Sequence, residues 1–323
     1  MERQLIIADT GNHRVRAVNA SGIISTLAGN GSYGFCGDGG PALSAMLYSP
    51  MAVAADERVG LTWIADANNY RIRVLWRNGT IQTAAGNGSY TSSGNGGPAS
   101  LATLGYVRAL VASTREAGVW FIDQSDHMVR YLTLGGNVVA VAGNGTYGFF
   151  GDGGPATQAM LYSPNAMTVD HETGTLWIGD NGNRRIRVVW PNGTIDTVAG
   201  TGEYATSVEQ GPALHTNISL PLCMRWHAAS RSLYFSEFLY PTGYLRRISP
   251  EGEVSSVWNT TLLPIGSVTS GRPLMRTFAS FDMSADGTRV WFTDAFNAFV
   301  WVIQRQLQAS ISSSSVILFS LLV

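Results

Sequence analysis

The chain reads as an all-β protein, a six-bladed β-propeller of four-stranded antiparallel blades. One unit recurs every 57 residues, each unit holds strand-length apolar runs with no helix-length amphipathic run between them, and Asn-Gly pairs stand between alternating segments. Asp9 opens DTGNHRVR, Asp66 DANNYRIR, Asp123 DQSDHMVR and Asp180 DNGNRRIR; Glu237 and Asp294 continue the series at the same 57-residue step. A unit of this size cannot bury its own apolar face, so it stacks on its neighbours.

The second unit shows the elements in order. MAVAAD (51–56) is a short apolar run, and LTWIAD (61–66) alternates. YRIRVLW (70–76) alternates Arg with apolar residues, and TIQTAAG (80–86) follows Asn78-Gly79. Asn-Gly supplies the two left-handed positions of a type I′ hairpin turn. Four antiparallel strands per unit, repeated, make a propeller rather than a parallel α/β sheet. Trp63, Trp120, Trp177, Tyr234 and Trp291 fall on the same grid and are expected to pack blade against blade. After the fourth strand comes a long insertion, as in 29–50, 86–106 and 143–164. Pro41, Pro98 and Pro155 there suit the start of a short helix, with Leu47, Leu104 and Leu161 on its buried side. The insertion shrinks to QGPAL (210–214) in the fourth unit, and its pattern is lost around Pro264 to Gly271 in the fifth.

The strings ADTGNHRVRAV (8–18), GIISTLAGNG (22–31), GFCGDGGPA (34–42) and SPMAVAAD (49–56) resemble the NHL repeat, in the long-loop form of bacterial and teneurin-type propellers. The resemblance covers about residues 3 to 305; units five (EFLYPTGYLRR) and six (DAFNAFVWVI) lack the Asn-x-Arg-Ile/Val core. It implies a propeller fold, but propellers of this kind include protein-binding, RNA-binding and enzymatic members, so function rests on the site.

Residues 1–308 are expected to form one propeller domain, with a Ser-rich and apolar tail at 309–323. Met1 falls in the turn between the first and second strands of its unit, so the first blade is expected to lack its inner strand. VILFSLLV (316–323) is too short for a membrane span of about 20 residues. It is left as a strand completing the first blade beside QLIIAD (4–9), a truncated span or a lipid-anchor signal. The formal net charge of −1 gives no overall attraction to nucleic acid, and all 21 basic residues are Arg. Cys36 and Cys223 lie three blades apart and are not expected to pair. Of eight Asn-x-Ser/Thr sequons five are Asn-Gly pairs that suit turns, and Asn217 and Asn259 are the glycosylation candidates. A secreted or cell-surface setting is favoured, with a cytoplasmic one open.

The recurring acid reads as structural, paired with Arg at the fifth and seventh positions after it: Asp9 with Arg14 and Arg16, Asp66 with Arg71 and Arg73, Asp180 with Arg185 and Arg187. Glu237 and Asp294 have no Arg at those positions and depend on a neighbouring blade or a ligand. Arg108, Asn165 and Arg225 stand at inner-strand starts in place of the apolar residues of the repeat and complete the ligand-binding candidates. The five His have no spacing that forces three together, so no metal or other cofactor is expected, nor a catalytic set. The expected function is an interaction module, monomeric, binding a protein or small ligand on its loop face, with membrane contact only through the tail. A channel-centred enzyme of amidating-lyase or lactonase type is the alternative. Single-stranded RNA binding is a second one, disfavoured by the charge balance.

Overall fold

Alternating sequence becomes antiparallel sheet. In the second repeat Pro50–Asp56, Leu61–Asp66, Arg71–Trp76 and Ile81–Ala85 pair in chain order. The last hairpin closes on Asn78-Gly79, where Gly79 has φ 83° and its N–H donates to Trp76 O at 2.9 Å. Gly79 alone is left-handed, so the expected type I′ turn with Asn78 also at positive φ is not formed: Arg77 and Asn78 are the central pair of the turn, and the left-handed glycine closes it. The computed structural model describes residues 5–19, 21–91, 93–204, 210–239, 242–259, 280–284, 287, 289–294, 299–304 and 319–322. These form propeller-type antiparallel sheets, five with four or five strands and a first one with three, Leu5–Asp9, Arg14–Val18 and Ile24–Ala28.

Sheets three to five depart from the expected four strands. Each gains a short outer strand from the insertion before it: Gly97–Pro98 pairs with Asn137–Ala142, Gly154–Pro155 with Thr194–Ala199, and Gln210–Pro212 with Glu253–Asn259. Pro41 bridges to Thr80 in the same way. Pro has no N–H to donate, which an outer edge tolerates. The expected short helix is only a 3-10 turn, Ala42–Ser44 or Ala156–Gln158, with Pro41 and Pro155 extended before it. Leu47, Leu104 and Leu161 are completely buried beneath it, as expected. Each such burial contributes roughly 1.5 to 3 kcal/mol.

The chain divides into two compact units. The first comprises Met1–Met167, His171–Thr175 and Val189–Asp196 and holds the first three sheets. Its core runs from Leu61, Trp63 and Ile72 of one sheet to Val107, Phe121 and Val138 of the next, with Leu104 between. The second unit comprises Thr168–Asp170, Leu176–Val188 and Thr197–Val323 and holds the last two sheets. There Trp177 stacks on Trp226 with centroids 4.4 Å apart, the packing expected of the aromatic grid.

The tail does not take the place expected beside residues 4–9. Phe319–Leu322 pairs with Phe299–Gln304 in the last sheet, while Leu5–Asp9 pairs with Arg14–Val18. The Ser run 312–315 and the degenerate insertion from Pro264 to Gly271 lie outside the described residues. Among the described residues no helix is long and apolar enough to cross a membrane.

Candidate functional site

Asp66 ends the second strand of its sheet and is fully buried, so its carboxylate needs donors. Tyr48 N–H reaches Oδ1 at 2.7 Å, Asn69 Nδ2 reaches Oδ2 at 2.8 Å, and Arg73 Nη1 reaches Oδ2 at 3.3 Å. Arg73 has no exposed surface. Its Nη2 donates to Asp38 Oδ1 at 2.6 Å and Cys36 O at 3.3 Å, so one guanidinium ties the first insertion to the acid of the second repeat. Arg130 does the same one repeat later, reaching Asp123 Oδ2 at 3.2 Å, Ser93 O at 2.8 Å and Asn95 Oδ1 at 2.9 Å. Arg187 pairs with Asp180 at 3.5 Å.

Of the two arginines expected to pair with Asp66, Arg73 thus does so and Arg71 does not. Arg71 donates instead to Asn69 O and Asn87 O, both at 2.9 Å. Arg14 likewise reaches Asn30 O at 2.8 Å while Asp9 accepts from Asn12 at 2.9 Å; Arg185 reaches Asn183 O at 2.9 Å and Thr201 O at 2.6 Å. The fifth-position Arg lies across a glycine of its own loop. A Cβ at Gly88 would stand 2.4 Å from the Arg71 guanidinium, and Gly88 has φ 92°. Glu237, expected to lack an Arg in its own repeat, has Arg246 at 2.9 Å and Ser219 N–H at 3.0 Å. A hairpin two residues longer sets Arg246 opposite Phe235, the register Arg73 holds opposite Ile64. Asp294 ends Arg289–Asp294 opposite Phe299; its side chain lies outside the described residues.

The third repeat varies one partner. Where Asn12, Asn69 and Asn183 donate to their acids, Asp126 stands beside Asp123. Gly105 N–H donates to both Asp123 oxygens at 3.1 Å, and Asp126 Oδ2 is buried with no hydrogen-bond partner. Burial raises the pKa of Asp66. Burial and then the charge of Asp126 raise that of Asp123 to about 7, against the pull of Gly105 N–H and Arg130.

On the inner strands, Arg108 Nε donates to Asn165 Oδ1, and Arg225 Nε to Asp282 Oδ1 at 2.9 Å, each partner one repeat further on. Arg225 lies opposite Tyr234 as Ala54 lies opposite Trp63, so it is in mid-strand and not at the strand start. Burial lowers the pKa of Arg108. Burial is the largest influence on Arg225 and opposes its charge, but Asp282 and Cys223 together outweigh it and the pKa is raised. Asn217 accepts from Thr201 Oγ1, and Asn259 ends its strand opposite Tyr244.

The insertions carry a surface that the repeat analysis did not single out, although its period was there to be read. Tyr33, Tyr90, Tyr147 and Tyr204 recur at the 57-residue step and are 69, 59, 68 and 73% exposed. Tyr33 and Tyr48 pack around His13, and Tyr147 and Tyr162 around His127, with centroids 5.5 to 6.1 Å apart. His13 Nδ1 accepts from Ser49 N–H at 3.2 Å and His127 Nδ1 from Ser163 N–H at 3.1 Å, so both imidazoles hold loop ends. Among the described residues no group of three His, Cys, Asp or Glu side chains converges.

No family model matches the chain. In sequence it is 27% identical over 245 residues to NHL repeat-containing protein 2 of Bos taurus, covering 64% of this chain and 32% of that protein. It is 27% identical over 227 residues to Teneurin-4 of Mus musculus, covering 62% of this chain and 8% of that one. The chain therefore spans about a third of the first relative and under a tenth of the second. In fold it is similar to a chain of a nidogen/laminin complex, with TM-score 0.60 at 14% identity over 93% of this chain and 89% of that one. It is also similar to a gluconolactonase of Xanthomonas campestris, with TM-score 0.59 at 15% identity over 94% of this chain and 82% of that one. The 57-residue period, the antiparallel sheets and these relatives agree on a β-propeller whose repeats are similar to those of NHL-repeat proteins.

Proposed function

We propose that the chain is a six-bladed interaction module, with the three-stranded first sheet counted as a blade, and that it binds a partner protein through its insertion loops. The observation that carries this is the recurrence of exposed tyrosines on those loops, two of them packed on a His and a second Tyr. Tyrosine offers large contact area at low entropic cost together with a hydrogen-bonding hydroxyl, which is why it is enriched at interfaces. The loops are held rigid by buried guanidiniums, so little ordering entropy is lost when a partner binds. A channel-centred enzyme of lyase or lactonase type is the second reading, favoured by the gluconolactonase likeness in fold.

The test is a double variant, Tyr33→Ser with Tyr147→Ser, compared with the parent protein as an immobilised bait on intact cells. The variant is expected to keep its melting midpoint and to lose the proteins that the parent captures. Equal capture by both places the interface elsewhere.

A further inference from the structure

The guanidiniums of Arg73, Arg130, Arg187, Arg246 and Arg225 each meet a carboxylate. Arg108 does not. It is partly buried at the start of Val107–Ala112, and its one hydrogen bond is from Nε to the neutral carboxamide of Asn165. Among the described residues Nη1 and Nη2 have no acceptor, and no carboxylate lies within ion-pair distance. A partly buried cation without a counter-ion is costly, and the planar fork of Arg matches a carboxylate better than any other common group.

The fifth repeat shows what satisfies such a residue. Arg225 also sends its Nε one repeat onward, but the acceptor there is the carboxylate of Asp282. Asn165 offers the same oxygen without the charge. We propose that Arg108 and Asn165 form a binding site for the carboxylate of a small organic acid, taken by the Nη edge of Arg108 with Asn165 holding the guanidinium in place. Burial already works against the charge of Arg108, with only Tyr106 favouring it, so a bound anion relieves a standing cost. Tyr106 is near enough for the two groups to influence each other and has a hydroxyl to offer the ligand. A single guanidinium fork suits a singly charged carboxylate over phosphate. This site is independent of the tyrosine loops and stands or falls separately from them.

The probe is carbon-13-labelled acetate, followed by line broadening at neutral pH and constant ionic strength, with inorganic phosphate as competitor. The parent protein is expected to broaden the acetate signal, and phosphate at the same concentration to leave it broadened. Arg108→Gln is expected to weaken binding at least about tenfold. Asn165→Asp supplies the carboxylate from within, as Asp282 does for Arg225, and is expected to abolish acetate binding while keeping or raising the melting midpoint. Acetate broadening that is absent in the parent, or unchanged in a folded Arg108→Gln or Asn165→Asp protein, overturns the proposal, as does preferential binding of phosphate. If Arg108→Gln fails to fold, Asn165→Asp decides the question alone.

Discussion

Asp66 and Asp123 occupy the same place in consecutive repeats and are both fully buried against a fully buried Arg, yet the residue three positions later differs. Asn69 gives Asp66 a permanent N–H donor. Asp126 can give Asp123 a hydrogen bond only while one of the two carboxyls holds a proton. The comparison separates what the scaffold needs from what it tolerates. The Arg–acid pair clasps the preceding insertion in both repeats, whereas the third partner sets how the clasp responds to pH.

The largest effect is expected where the comparison finds no difference. Arg73→Met removes the buried cation that reaches Asp66, and with it the bonds to Asp38 and Cys36 O. Breaking a buried pair by removing one partner costs about 3 to 5 kcal/mol, most of it from the stranded charge. Urea denaturation should show that loss for Arg73→Met and a similar one for Arg130→Met. Adding Asp66→Asn to Arg73→Met should restore part of it, since the neutral amide no longer strands a charge. No recovery in the double variant would mean that the loop bonds of Arg73 outweigh its charge pairing.

A smaller effect is expected where the repeats differ. An acid whose pKa is raised on folding binds its proton more tightly in the fold than in the unfolded chain. Its stabilisation is therefore complete below the unfolded value of about 4. It is lost as pH rises through the folded value of about 7. Asp126→Asn restores the donor found in the sister repeats. The variant should match the parent at pH 4 to 5 and exceed it by about 1 to 3 kcal/mol at pH 8. Melting curves across that range are the measurement, and a difference that does not change with pH would remove the shared proton from the account.

The repeat and its strands were legible because the 57-residue period and the Asn-Gly turns act locally. The clasp was legible only as a choice. Arg71 lies directly opposite Asp66 in the ladder and Arg73 opposite Ile64 two residues away, so both can approach the acid. Which one does is decided by the insertion packed over Arg73 and the bare glycine under Arg71, and neither contact is local in sequence. Arg246 was hidden for a different reason, since counting from Glu237 assumes a hairpin length that the fifth repeat exceeds. The pairing of Arg108 with Asn165 was within reach, because residues one period apart hold equivalent places in adjacent repeats.

The smallest expected effect tests that division between neighbouring arginines. Arg71 is partly exposed and donates to two loop carbonyls, and its guanidinium lies 3.7 Å from the centroid of the Phe35 ring. Asn87 O lies at the surface, where water can take over when the side chain is removed, Asn69 O is half-buried, and Asp66 keeps Tyr48 N–H, Asn69 and Arg73. Arg71→Ala should therefore cost only about 0.5 to 1.5 kcal/mol, the range of an ordinary hydrogen bond with some lost packing. Replacing Asp66 by Asn should change that cost only slightly, because Arg71 makes no hydrogen bond to the carboxylate and is coupled to it only through charge and the shared neighbour Asn69. If Arg71→Ala destabilises as much as Arg73→Met, or if Asp66→Asn rescues it, then Arg71 shares the charge of the buried acid and the clasp is built from two arginines rather than one.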